Sequence, residues 1–423
     1  MASPLLLKNV VHGNKSCDIL IENGIFSQIA PEIVPPENCR IINGNGTLAV
    51  SPAFYNTHTH AAMTLLRSYA DDMKLFKWLE RYIWPVEAKL TPEDIYIGSK
   101  LAILEMIRTG TVFFNDMYWY PMETIHAAKE MKMRAAVGML FLSGSEHDRD
   151  LKNRDINREL ENNRKEIEAD GKIFLTLAPH AIYSVDKNKL LEAADKAHRE
   201  NYYIHIHLAE TREEFKNCLQ EHHMTPAEYL DSLGVLTEKT ILAHSLFLSP
   251  SDIELIKARG AHISHNPCSN MKLGSGSFHY QEVVEKHNCP ITIGTDGASS
   301  NNNLSILEEM KFAALSAKRQ AHDPEVGKDI DIFRAATRNG ALAFGIDGGE
   351  IAVGRVADCL LVDLEHPLMM ADYNFISNMV YSADSSCIDS VICGGEILML
   401  HKFIEDEKEI LQAARECCRR ITK

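Results

Sequence analysis

Short apolar runs broken by turn residues open the chain. LLLKNVV, CDILIENGIFSQIA and GTLAVSPAF have strand length, and His12-Gly13-Asn14 and Glu22-Asn23-Gly24 stand where hairpin turns belong. The same pattern returns late, in GEIAVGRVADCLLVDL and SSCIDSVICGGEIL, again punctuated by glycines. The simplest arrangement is one small β-sandwich domain built from both chain ends, residues 1–50 with residues 350–402. Over residues 51–349, apolar runs alternate with longer helical stretches, the alternation of a (β/α)8 TIM-like barrel in an α/β fold. The candidate strands TVFFND, RAAVGMLF, IFLTLAPH, YIHIHLAE, TILAHS, HISHNP and ITIGTDG each run into polar residues. Catalytic groups of such barrels sit at the C-terminal ends of the strands, so this placement predicts a site at one mouth. The intervening stretches, such as TPEDIYIGSKLAILEMIRTG, repeat apolar residues at i, i+3, i+4 and stop at glycine. The charged tail, residues 403–423, reads as a terminal helix.

Composition narrows the function classes without altering that layout. The 423 residues are 45% hydrophobic and 24% charged, ordinary for a globular protein, with no apolar run long enough to predict a membrane span. The opening MASPLLLKNVVHGNKS has only a brief apolar patch, so no signal peptide is expected and the cytoplasm is the expected location. Asp and Glu outnumber Lys and Arg by 59 to 44, a formal net charge of −15, which weighs against nucleic acid or an acidic membrane as partner. Ten cysteines run from Cys17 to Cys418 with no CxxC spacing, and are expected to be reduced and mostly buried.

Candidate chemistry gathers at the predicted strand ends. His58 and His60 in NTHTH are two apart, so both side chains leave a strand on one side and can reach one cation. Ile204-His205-Ile206-His207-Leu208-Ala209-Glu210 ends another strand, and Gly294-Thr295-Asp296-Gly297 ends the last. Three imidazoles, His58, His60 and His207, with the Asp296 carboxylate make a plausible zinc shell with room for a water. His205 shares the face of His207 deeper in the barrel and reads as a hydrogen-bonded core histidine.

HTH near the start, HLAE mid-chain, AHS at His244, SHNPCSNMKLGSG at 264–276 and GTDGASSNNNL at 294–304 together resemble the amidohydrolase superfamily. The resemblance is nearest to its branch of S-adenosylhomocysteine, methylthioadenosine and adenosine deaminases. It implies a metal-activated water that attacks the amine-bearing carbon of a purine. Asp296 would take and return the proton, Glu210 would protonate the neighbouring ring nitrogen, and His244 would orient the attacking hydroxide. Many members bridge two metals through a carboxylated lysine at the end of the fourth strand; here Ile173 to His180 ends without one and Lys172 stands at its start, implying a single ion. Zn2+ is the expected ion, with Fe2+, Mn2+ or Ni2+ as alternatives. The cytidine-type deaminases use a different signature whose second cysteine Pro267-Cys268-Ser269-Asn270 lacks.

The segment after the first barrel strand, Leu66 to Glu87, resembles the family's lid. Trp78 would cover a nucleoside, Glu87 would accept from ribose hydroxyls, and His180 would donate to a purine ring nitrogen. WLERYIW also has the spacing of core residues, and Glu87 that of a solvated helix residue. Homocysteine-accepting members carry an arginine after the third strand, but here that strand reads Ala135-Ala136-Val137-Gly138-Met139-Leu140, and neither Arg134 nor Arg149 matches the position. Adenosine, 5′-deoxyadenosine or methylthioadenosine therefore come ahead of S-adenosylhomocysteine. Two rival readings stand beside this one: a deaminase or hydrolase of a free base or other N-heterocycle such as guanine, 8-oxoguanine, a pterin or a triazine, and a non-catalytic structural relative. Homo-oligomerisation is left open.

Overall fold

A computed structural model describes residues 3–421 apart from Lys74 and residues 144–146, with backbone alone for 147–154; the side chain of Arg149 lies outside the described residues. The strands form two separate sheets. In the first, β1 (Leu5–His12), β2 (Lys15–Glu22), β3 (Ile25–Ala30), β4 (Arg40–Asn43) and β5 (Leu48–Pro52) come from the start of the chain. Eight parallel strands, β6 (Phe54–Thr59), β7 (Thr111–Asp116), β8 (Arg134–Phe141), β9 (Ile173–Pro179), β10 (Tyr203–Leu208), β11 (Thr240–His244), β12 (His262–His265) and β13 (Ile291–Ile293), pair in sequence order. The last three, β14 (Cys359–Asp363), β15 (Ile388–Cys393) and β16 (Glu396–Met399), return to the first sheet.

Hairpins β1–β2 and β2–β3 turn on two residues each, Gly13-Asn14 and Asn23-Gly24, all four at positive φ. That is the geometry whose twist matches the flanking strands, and it explains why Asn and Gly stand there. β14 lies antiparallel to β5, which joins the late strands to the early ones in the order β16-β15-β14-β5-β1-β2-β3, with β4 also against β1. The sheet curls: Phe26 of β3 and Ile392 of β15 share one apolar cluster, and Ile25 bridges to Val356. Two details were not legible. The four-residue β4 carries no alternation, and Ile351–Val356, which reads as a strand, is instead a turn with Gly354 at φ +87°.

The barrel nearly closes. The amides of Thr295 and Asp296 donate to the His58 carbonyl at 3.1 and 2.9 Å, linking the loop after β13 back to β6. Its strands are buried on both faces, as near-continuous apolar runs require in a parallel sheet enclosed by helices. Helices start on good caps: Thr91, Thr225 and Ser249 each form a capping box ahead of Pro92–Arg108, Pro226–Ser232 and Pro250–Arg259. The terminal helix Glu407–Ile421 packs on Pro92–Arg108, and its Ala414, Cys417 and Ile421 join Leu66, Trp78 and Ile83 in a core separate from the barrel's. The segment after β6 is thus anchored by the end of the chain. All ten cysteines are free and eight are buried. Among the described residues no helix is long and apolar enough to cross a membrane.

Candidate active site

His58 lies in β6 and His60 just past its end; His207 lies in β10, His244 ends β11, and Asp296 follows β13 by three residues. All five converge at the C-terminal mouth of the barrel. To turn these side chains inward the backbone departs from strand geometry: Ala209, His244, Ser245 and Asp296 all have left-handed φ, at +47°, +69°, +54° and +64°. Non-glycine residues in this region cost on the order of 1–3 kcal/mol each, and such strain collects where function demands it.

The ring nitrogens facing away from the centre are all engaged. His60 Nδ1 lies 2.5 Å from the Met117 carbonyl and His207 Nδ1 2.7 Å from the His180 carbonyl, so each Nδ1 is the donor and, in the neutral ring, each Nε2 carries the lone pair. His58 Nδ1 meets His205 Nε2 at 2.7 Å, giving the core histidine its partner, and His244 Nδ1 meets Asn270 Oδ1 at 2.7 Å. The inward atoms then crowd together. His60 Nε2 is 3.3 Å from His207 Nε2 and 3.2 Å from Asp296 Oδ1, and His58 Nε2 is 3.4 Å from the same oxygen and has no hydrogen-bond partner. Lone pairs and a carboxylate pressed together in a buried site repel unless a positive charge lies among them. Two overlapping donor sets meet the spacing for one ion: His58, His60 and Asp296, and His58, His207 and His244. Orienting every ligand through its second nitrogen is how protein metal sites are built, so the residues present fit a divalent cation.

The electrostatics agree. Burial, reinforced by neighbouring histidines, holds His207 and His205 well below the usual imidazole range, and burial brings His58 to about 4 despite the opposing Asp296, so these rings are neutral. At His60 burial also opposes charge, but the Asp296 hydrogen bond and charge, with Met117 and Asp116, lift it to about 9. The cluster thus draws a proton to the place a cation fits. Burial pushes Asp296 up, and His58 and His60 more than reverse this, leaving it a carboxylate. Its Oδ2 accepts from Ser269 Oγ at 2.6 Å and lies 4.0 Å from His244 Nε2.

Above this centre opens a cavity of about 500 Å³. Glu210 projects into it, 4% exposed, its Oε1 accepting from Ser275 Oγ at 3.2 Å and its Oε2 4.0 Å from His244 Nε2. Burial, then the Asp296 charge, raises its carboxyl above the usual range against the pull of His244, favouring a form that can give up a proton. Trp78, Glu87 and His180 all line the same cavity. Trp78 is both wall and core: it is 4% exposed, at the end of the helical turn Leu75–Trp78. Glu87 accepts from Trp119 Nε1 at 3.3 Å, and His180 Nδ1 meets Ser184 Oγ at 2.7 Å. Leu140, near the end of β8, and Leu142, just past it, line the wall; among the described lining residues none is Lys or Arg. Arg134 stands at the opposite end of β8, paired with Asp358.

Sequence reasoning missed several of these roles. Asn270, Ser269 and Ser275 lie in the 264–276 segment but acquire their partners only in the folded barrel, where Asn270 meets His244 at the end of β11, Ser269 meets Asp296 after β13 and Ser275 meets Glu210 after β10. Glu214, which accepts from the amides of Ala209 and Glu210, carried a readable signal, Thr211-x-x-Glu214 at a helix start.

The amidohydrolase family pattern matches residues 49–398. Over its whole length the chain is 41% identical to a 5-methylthioadenosine/S-adenosylhomocysteine deaminase 1 from Archaeoglobus fulgidus, across 98% of that protein. It is 43% identical to a 5′-deoxyadenosine deaminase from Methanospirillum hungatei, over 89% of this chain and 83% of the relative. Among solved structures, an adenosine deaminase from Xanthomonas campestris with bound zinc superposes with a TM-score of 0.90 at 29% identity, covering 99% of this chain and 98% of that one.

Proposed function

The chain belongs to the amidohydrolase family, and from that premise we propose that it is a hydrolytic deaminase of adenine-type nucleosides that uses one divalent metal ion, Zn2+. The observation that carries the reading is the facing of His60 Nε2, His207 Nε2 and Asp296 Oδ1 at 3.2–3.3 Å at the floor of a cavity whose walls hold Glu87, His180 and Glu210. His58, His60, His207 and Asp296 would hold the ion. When bound, such an ion lowers the pKa of a water towards neutrality, which makes it a nucleophile at physiological pH.

The remaining steps fall to the chain's own groups. Asp296 takes the proton of the attacking water and later returns it to the departing ammonia, with Ser269 holding Oδ2 in position. Glu210 donates to the ring nitrogen beside the reacting carbon, which relieves the negative charge that attack builds on the ring. His244, fixed by Asn270, orients the water through Nε2 and stabilises the developing charge. Glu87 accepts from the ribose hydroxyls, His180 binds the purine edge, and Trp78 closes the top. Leu140 and Leu142 leave an apolar wall suited to a neutral 5′ substituent, so 5′-deoxyadenosine and methylthioadenosine precede S-adenosylhomocysteine.

The test is ammonia release by metal-replete protein from 5′-deoxyadenosine, methylthioadenosine, adenosine, S-adenosylhomocysteine, guanine, a pterin and a triazine, followed by kcat/KM on each hit. The expected result is turnover of the nucleosides, with the two carrying a neutral apolar 5′ group ahead. Turnover of free bases or triazines alone would overturn the reading.

A further inference from the structure

Buried beside the site, but outside the cavity, lies a carboxyl group that none of these steps uses. Glu214 is 2% exposed, in the first turn of the helix Arg212–His222. Its two oxygens accept from consecutive backbone amides: Oε1 from Ala209 N at 2.9 Å and Oε2 from Glu210 N at 2.9 Å. A third-position helix carboxylate ordinarily reaches back to the N-cap amide, here Thr211. Glu214 reaches further, to Ala209 and Glu210, the two residues between β10 and that cap.

Those two residues decide where Glu210 stands. The strand ends at Leu208, and the chain swings Glu210 over the cavity only because Ala209 is held at φ +47°. The turn is gripped on its other side as well, since the Ala209 carbonyl accepts from Leu246 N at 3.1 Å and Phe247 N at 3.2 Å. Without Glu214 the amides of Ala209 and Glu210 would be buried and unpartnered, and relaxation of Ala209 towards an ordinary φ would rotate Glu210 off its line to the cavity.

We propose that Glu214 is a positioning residue for Glu210: by clamping the Ala209 and Glu210 amides it sets the orientation of the Glu210 carboxyl and thereby the rate of ring protonation, without touching substrate. The proposal rests on the reading of Glu210 as proton donor. A group displaced by about 1 Å from its productive geometry can cost 10²-fold in rate, which sets the expected scale.

The experiment compares Glu214→Ala, Glu214→Gln, Thr211→Ala and Glu210→Gln in metal-replete enzyme with 5′-deoxyadenosine, reading kcat, KM, metal per chain and Tm. Thr211 caps the same helix by accepting from Glu214 N at 3.1 Å but takes no part in the clamp, so its variant measures what helix loosening alone does. Glu214→Ala should lose about 10²-fold in kcat, with KM and metal content little changed. Glu214→Gln, which keeps one acceptor oxygen, should fall between it and the parent. Thr211→Ala should lower Tm with kcat near the parent value. The proposal is overturned if Glu214→Ala keeps its kcat, or if Glu214→Ala and Thr211→Ala lose kcat in step with Tm. Should Glu214→Ala fail to fold, Glu214→Gln decides by the same two criteria. If Glu210→Gln turns over normally, the proton-donor reading itself fails; if Glu210→Gln is inactive while the Glu214 variants are normal, the clamp alone is refuted.

Discussion

Two clusters of buried charge sit at opposite ends of the barrel. At the base, Asp358, just before β14, is fully buried and fully engaged: Oδ2 accepts from Tyr55 Oη and from Arg134 Nη1 at 2.5 Å, and Oδ1 accepts from Gly394 N at 2.6 Å. One cation meets one anion and nothing further is required. At the mouth, three imidazole Nε2 atoms and a carboxylate face one another, His58 Nε2 has no partner, and four non-glycine residues sit at left-handed φ. The base is complete in itself and serves to join the small sheet to the barrel. The mouth is complete only with a cation, and local rules are broken there, as they are where function overrides stability.

The sharpest way to break this contrast is at Asp296. Asp296→Asn removes the negative charge proposed to hold the cation and the base proposed to move the water proton. Turnover should fall about 10⁴-fold, equivalent to about 5.5 kcal/mol of barrier, and metal content by elemental analysis should drop with it. Compared as metal-free proteins, so that lost metal binding does not itself lower Tm, parent and variant should unfold at similar temperatures, because the substitution also relieves a crowded cluster. A large loss of stability would place the mouth in the same class as the base.

Arg134→Met makes the converse test. It strands Asp358 as an unpaired buried charge, and breaking a buried pair from one side costs about 3–5 kcal/mol. Denaturant unfolding should show that loss, while kcat per folded molecule stays near the parent value. A loss of kcat without loss of stability would contradict the division. Glu210→Gln comes next, with a loss of at least about 10²-fold in kcat, or about 2.7 kcal/mol, at unchanged metal content and Tm. Near-normal turnover in metal-replete protein would remove Glu210 from the mechanism.

The two clusters also differ in how far they could be read from sequence. His58 and His60 were legible because a strand's period of two puts them on one face, and His207 because it ends an apolar run. Nothing local marks Asp358 as a partner of Arg134, 224 residues earlier, since only the pairing of β14 with β5 and the curl of the small sheet bring them together. The outer contacts of the mouth were hidden for the same reason. Met117 and His180 act through backbone carbonyls, which no side-chain motif reports, and Asn270 reaches His244 only across neighbouring strand ends. Position along a strand can be read locally, but the tautomer of a ligand is set by tertiary neighbours.

The smallest expected effect concerns pH. Glu309 is fully buried near the mouth, where it accepts from Cys268 N at 3.1 Å and Asn301 Nδ2 at 2.5 Å. Burial pushes its carboxyl up to about 8, against an unfolded value near 4.5. Between those values the folded state binds more protons than the unfolded one, so the slope of unfolding free energy with pH is negative. Its contribution is fully present below about pH 4.5 and is lost as pH rises through about 8. No such loss arises from Arg134 at the base, where burial opposes the charge but Asp358 outweighs it and keeps the guanidinium protonated. Glu309→Gln should therefore flatten the decline of stability between pH 5.5 and 8.5 by up to about 1.4 kcal/mol per pH unit, a decline to which Arg134 of the parent, protonated throughout, adds nothing. Unfolding free energies measured across that range for Glu309→Gln and the parent check this; equal slopes in the two would show that the carboxyl at the mouth is not held protonated.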